Sequence, residues 1–177
     1  MHGAHHTFAL ALSLALTFAT GGAMASPPEN APSSALTAPD QEFLKKASTD
    51  GAAEVSMGRL AIRKSSSSRV KSLAETLVGD HTKANRDLAE LADRKHVALG
   101  ADNAPPSDAM DHLVPLTGDA FDRAYVSTMI AAHKKAISLF EEASHGRDPD
   151  LSAFALRTLP TLEHPLHMAE ALEPAKP

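Results

Sequence analysis

The chain has 177 residues, of which 43% are hydrophobic, 22% charged and only 4% aromatic, with no Cys and no Trp. The absence of Cys excludes a disulfide scaffold, thiolate metal ligands, a Cys nucleophile and a lipidated Cys anchor. A formal net charge of −5 lacks the clustered Lys and Arg that phosphate neutralisation requires, so nucleic acid is not an expected partner.

An uncharged apolar run over residues 8–19 is followed by Gly21, Gly22 and the small-residue tripeptide Ala23-Met24-Ala25, the pattern of an export signal with its cleavage site. Its leading MHGAHH carries His where such signals usually carry Lys or Arg. Residues 1–25 are therefore predicted to be a signal peptide, placing the mature protein in the periplasm or outside the cell. The run is too short to cross a bilayer comfortably, so no integral membrane segment is expected after cleavage. Removal of the signal leaves roughly 150 residues, room for one ordinary domain. Residues 26–39, SPPENAPSSALTAP, have no hydrophobic period and read as a flexible leader.

From residue 40 to 173 the pattern is helical, with 174–177 as a short tail. Helix A is predicted over about 41–64, capped by Asp40, with Phe43, Leu44, Ala47, Gly51, Val55 and Gly58 on its packed side. Gly51 and Gly58 each weaken an isolated helix by roughly 1 kcal/mol, but they permit close approach by a neighbour. A run of four Ser at 65–68 breaks the helix and caps the next. Helix B, about 68–95, is the clearest amphipathic segment, with Val70, Leu73, Leu77, His81, Ala84, Leu88 and Leu91 on one stripe. Residues 96–118 contain Gly100, Pro105, Pro106, Pro115 and Gly118 around a short helical stretch, SDAMDHL, and read as a crossover. Helix C follows over about 119–144, with Phe121, Val126, Met129, His133, Ile137 and Phe140 inward. Gly146 and DPD close it and cap helix D, about 149–172, in which Pro160 and Pro165 are expected to bend or interrupt the helix. Two short connections around one long one predict an all-α fold: a ferritin-like four-helix bundle with a long crossover between helices B and C.

The polar residues on the inner stripes are the candidates for chemistry. His81 follows Leu77 by one turn and His133 follows Met129 by one turn, so both imidazoles fall among core side chains. A buried imidazole needs a hydrogen-bond partner or a ligand. Glu54, between Gly51 and Gly58, adds a carboxylate on the packed side of helix A. His164, with Glu163 and His167 nearby, becomes a fourth candidate if the proline distortion turns it inward. Glu54, His81, His133 and His164 then form a mixed N and O set suited to iron, manganese, zinc or copper. Purely structural hydrogen bonds are the competing reading. Asp80 points about 100° away from His81 around the helix and is placed to pair with Lys83, while Asp122 and Tyr125 either cap and pack or orient other groups. His96 and His112 read as exposed. The paired Glu-x-x-His signatures of di-iron bundles are missing, and Glu142 with His145 falls at a helix end. No phosphate loop, dinucleotide fingerprint, hydrolase elbow or His-Glu-x-x-His motif is present, and no catalytic residue is assigned.

The segments AAEVSMGRLA (52–61), VKSLAETLVGDHTKA (70–84), GDAFDRAYVSTMIAAHKKAISLF (118–140) and LPTLEHPLHMAEAL (159–172) resemble the domain-of-unknown-function 4142 family, bacterial exported proteins labelled as outer membrane proteins with a ferritin-like helical domain. The resemblance spans about 41–172. It implies distinctive roles for Glu54, Asp80, His81, Phe121, Asp122, Tyr125, His133, Leu159, Pro160 and His164, and it implies no activity or substrate. The alternating strands of a barrel are missing from the sequence.

The sequence therefore predicts an exported helical bundle that binds a transition metal in its interior. One alternative is a non-enzymatic structural or protein-binding envelope domain, acting as a homodimer or with another envelope protein. The other is a ferritin-like redox enzyme, which would need an open coordination position.

Overall fold

The computed structural model describes residues 36–99 and 108–173. The expected export signal, residues 26–35 of the expected leader, the Pro-rich part of the crossover and the tail lie outside these residues. The described chain is an all-α bundle of α1 (Ala38–Lys64), α2 (Ser68–Arg94), the short α3 (Asp108–Leu113), α4 (Gly118–Ser144) and α5 (Pro149–Glu170). No helix among the described residues is long and apolar enough to cross a membrane.

The first helix starts earlier than its hydrophobic pattern suggests. Thr37, not Asp40, is the N-cap: its hydroxyl accepts from the Asp40 amide at 3.3 Å, and the Asp40 carboxylate accepts from the Thr37 amide at 2.9 Å. This reciprocal pair satisfies two of the donors that a helix start leaves open, and Pro39 sits in the first turn where no amide donor is needed. Ser65 ends α1 in an extended conformation, and Ser67 caps α2 by accepting from the Val70 amide at 3.3 Å. His96 adopts a left-handed φ of 56° just beyond α2, and the Val97 amide folds back to the Ala92 carbonyl at 2.9 Å. Asp148 caps α5 by accepting from the Asp150 and Leu151 amides, both at 3.0 Å. The helix then continues through Pro160 and Pro165 without a break. Pro160 and Leu156, whose carbonyl loses its usual donor, are both exposed, which leaves water to satisfy that oxygen.

Helices α1 and α2 pack as one hairpin and α4 and α5 as another, with α1 against α4 and α2 against α5. Gly58 makes the first hairpin close: a Cβ there would lie 2.8 Å from a Val78 methyl and 3.3 Å from the Ala74 carbonyl. At one end, the Lys64 ammonium donates to the Val114 carbonyl at 2.5 Å, and Arg69 donates to the Ala171 carbonyl at 2.9 Å. At the other, Lys95 binds Asp148 at 2.6 Å and Asp150 at 2.7 Å, a buried link between the end of α2 and the start of α5 that the sequence pattern does not reveal. Burial opposes the charge on both Lys95 and Asp148, but their pairing outweighs it, raising the ammonium pKa and lowering the carboxyl pKa.

The core divides in two. One half contains Met57, Leu73, Leu77, Phe121, Tyr125 and Met129. The other contains Phe43, Leu88, Leu91, Phe140, Phe154 and Leu162, with Phe43 edge-on to Phe140 at 5.1 Å. Along α1, α2 and α4 the residues between these halves are Glu54, His81 and His133.

Candidate metal centre

Each of the three helices delivers one buried polar side chain to the layer between the two apolar halves. Glu54 is 4% exposed, His81 6% and His133 1%. Ordinary helical periodicity puts them there, since Glu54 follows Ala47 and Gly51 along α1, His81 follows Leu77 and His133 follows Met129. One potential ligand atom from each lies within 4.8 Å of the other two. The imidazole rings meet edge to face, with centroids 5.5 Å apart and planes at 87°.

The hydrogen bonding within this layer is incomplete. Nδ1 of His133 donates to the Met129 carbonyl one turn back, at 3.0 Å, which fixes the ring and leaves Nε2 as the nitrogen with a free lone pair. Nε2 of His133 has no partner among the described residues. Nε2 of His81 lies 2.8 Å from Oε2 of Glu54, yet the two atoms are not aligned as a hydrogen bond, and both are without one. Nδ1 of His133 stands 3.6 Å from the same carboxylate oxygen. Buried polar atoms without an aligned hydrogen bond are rare, and a layer where one potential ligand atom from each of three residues converges is an arrangement that a bound ion would complete.

The electrostatics agree with that geometry. Burial alone would raise the Glu54 carboxyl pKa, but His81 and then His133 outweigh it and hold the group below its ordinary value. Burial alone would lower the His81 pKa, but the Glu54 carboxylate, with a smaller contribution from Asp80, lifts it above the ordinary value. His133 is lowered by burial, and the charge on His81 adds to the effect. Within the layer, the carboxylate form of Glu54 and the protonated form of His81 are thus favoured, and the protonated form of His133 is disfavoured. Displacing one proton from His81 turns the layer into an anionic set of two nitrogens and a carboxylate, suited to a transition metal.

His164 is not brought to this layer. It is exposed on α5, because the inward positions there are Thr158, Leu162, Pro165 and Ala169, and the prolines do not rotate the helix enough to change its phase. Glu163 and His167 are exposed as well, and His167 stands 3.8 Å from Glu170. Lys83 binds Asp87 at 2.6 Å, not Asp80, and Asp80 instead lines a small cavity beside Glu54 and His81. His96 and His112 are exposed. Tyr125 is fully buried, and its hydroxyl has no hydrogen-bond partner among the described residues. Burial, and then the Glu54 charge, push its pKa far above the ordinary value, so it remains a donor. The Met129 carbonyl orients His133, as the carbonyl one turn behind a buried helical His can.

A family model described as "Domain of unknown function (DUF4142)" matches residues 25–172. The chain belongs to the DUF4142 family. No curated protein matches this DUF4142 chain. Among solved structures, it is similar to "CopM in the Cu(I)-bound form", with 16% identity and a TM-score of 0.64 over 75% of this chain and 93% of that one. It is similar also to "Crystal structure of DUF305 fragment from Deinococcus radiodurans", with 16% identity and a TM-score of 0.62 over 77% of this chain and 95% of that one. "CopM in the Ag-bound form (by co-crystallization)" matches with 15% identity and a TM-score of 0.60 over 75% of this chain and 93% of that one. At these identities the likeness establishes a shared helical-bundle fold.

Proposed function

We propose that this DUF4142 protein is an exported metal-binding bundle, and that Glu54, His81 and His133 hold one transition-metal ion, with copper as the leading candidate. The observation that carries the reading is the convergence of one buried ligand atom from each of Glu54, His81 and His133, all within 4.8 Å of one another. Imidazole nitrogen suits copper, zinc, iron and nickel alike, so the donor set alone does not choose among them. The fold shared with CopM, whose structures hold Cu(I) and Ag, favours copper. The role we propose for it is binding and handling of the ion in the cell envelope.

The ferritin-like topology is part of the same proposal. Lys64 at the end of α1 touches the approach to α4, and Lys95 beyond α2 touches the start of α5. These contacts support α2 and α4 running in the same direction, so that the segment between them crosses the length of the bundle, as in ferritin-like folds.

A structural reading of the trio draws on the 2.8 Å approach of His81 to Glu54. Loading the mature protein with copper and measuring metal per chain separates the two. Metal binding predicts one ion per chain, lost when Glu54, His81 and His133 are all replaced by Leu. A native protein that takes up none, or a triple variant that takes up as much, would overturn the proposal.

A further inference from the structure

We infer that the ion reaches the buried layer sideways, through the seam between α2 and α5, with Asp80 as the carboxylate at the throat. This rests on the metal-binding reading above and adds a route to it. Along the bundle axis the trio is closed on both sides by apolar core. At the seam, by contrast, two spaces meet. An outer groove of about 390 Å³ is walled by Asp87 and Arg157 among others. An inner cavity of about 30 Å³ reaches Glu54 and His81 and continues to Asn85, whose side chain occupies the space above Gly51. Asp80, Ala84, Phe154, Thr158 and Thr161 line both. The inner space is enough for a single water or ion.

In the outer groove Lys83 is paired with Asp87 and Arg157 adds a second cation, whereas the polar groups shared by the two spaces, Asp80, Thr158 and Thr161, present oxygen lone pairs to a passing ion. The Thr158 hydroxyl donates its proton to the Phe154 carbonyl at 2.9 Å, and the Thr161 hydroxyl donates to the Thr158 carbonyl at 2.6 Å. With their protons so committed, both hydroxyls have lone pairs left to offer. Asp80, which belongs to both spaces, supplies negative charge one residue before His81. Entering between these oxygens, an ion can exchange its water in steps before it meets the imidazoles.

The test is the rate of copper uptake and release, by stopped-flow mixing of the full mature chain with Cu(II) and by chelator competition from the loaded protein. Ala84→Leu narrows the throat without touching a ligand. It is expected to slow uptake and release together, by tenfold or more, with the dissociation constant changed less than threefold. Asp80→Asn keeps the shape and removes the charge, so it remains informative if the Leu variant folds poorly. Its uptake is expected to slow at least threefold at low salt, with the difference shrinking as salt rises. Copper bound at equilibrium by all three proteins with unchanged rates in both variants overturns the route alone. A native chain that binds no copper at equilibrium overturns the metal reading beneath it.

Discussion

If the polar layer exists for a ligand and not for the fold, removing all of it should weaken the metal-free protein little. Glu54, His81 and His133 are each at least nine-tenths buried, and the only aligned side-chain hydrogen bond among them is that of His133 to the Met129 carbonyl. Replacing a buried ionic cluster by apolar residues of similar volume is neutral or stabilises by about 1–4 kcal/mol. Loss of one neutral hydrogen bond costs about 1 kcal/mol. The Glu54→Leu, His81→Leu, His133→Leu triple variant is therefore expected to lie between about 1 kcal/mol less and about 3 kcal/mol more stable than the native chain in chelator. Removing His81 alone strands the Glu54 carboxylate in the core and should cost about 3–5 kcal/mol, so the substitutions should be strongly non-additive. Urea unfolding at pH 7 measures both through the midpoint, given an unchanged denaturant slope. A triple variant less stable than the native protein by more than about 1 kcal/mol would refute the reasoning and make the layer a structural network.

Copper binding should release protons: Glu54 raises the His81 pKa, so the ion has to displace a proton from that ring, and the release should grow as pH falls, read by calorimetry in buffers of different ionisation enthalpy. In the metal-free protein, the stabilisation from Glu54, whose pKa is lowered, should be present above its ordinary 4.5 and lost as pH falls through the lowered value. That from His81, whose pKa is raised, should be present below its ordinary 6.5 and lost as pH rises through the raised value. His133 is lowered, so its contribution is present above 6.5 and is lost on acidification, giving a stability profile that falls on the acid side for two reasons. Thermal melts across pH 3–9 check this, and a profile unchanged in the triple variant would contradict it. Gly58→Ala should destabilise by about 1–3 kcal/mol despite the better helix former, because its Cβ meets the Ala74 backbone, and urea midpoints measure it. Asp148→Ala removes two cap bonds but leaves Lys95 its Asp150 partner, so a loss of about 1–3 kcal/mol is expected in the same assay.

Most of the bundle was legible because helical periodicity is a strong signal, and the same periodicity placed Glu54, His81 and His133 among inward Leu, Ala and Met positions. What failed depended on local chemistry that periodicity does not carry. Thr37 caps α1 from inside a Pro, Ser and Ala stretch that has no apolar stripe to announce a helix. His164 stays outside because helical phase governs α5 through both prolines, and the sequence argument needed a distortion that does not occur. The Lys95 link to Asp148 joins residues 53 apart, and only packing of α2 against α5 brings them together. Helix geometry allows Asp80 to pair with Lys83 without establishing the partner, and Lys83 binds its other acidic neighbour, Asp87, one turn on. Periodicity identifies which residues enter the core. Which way each side chain turns there depends on hydrogen bonds and charges from other helices.

The central claim concerns what touches the ion, and X-ray absorption at the copper edge of the loaded mature protein tests it most directly. The account predicts two imidazole scatterers, from His81 and His133, and at least one oxygen from Glu54, with one imidazole lost in His133→Leu. A spectrum without imidazole scattering, or one unchanged in that variant, would contradict it.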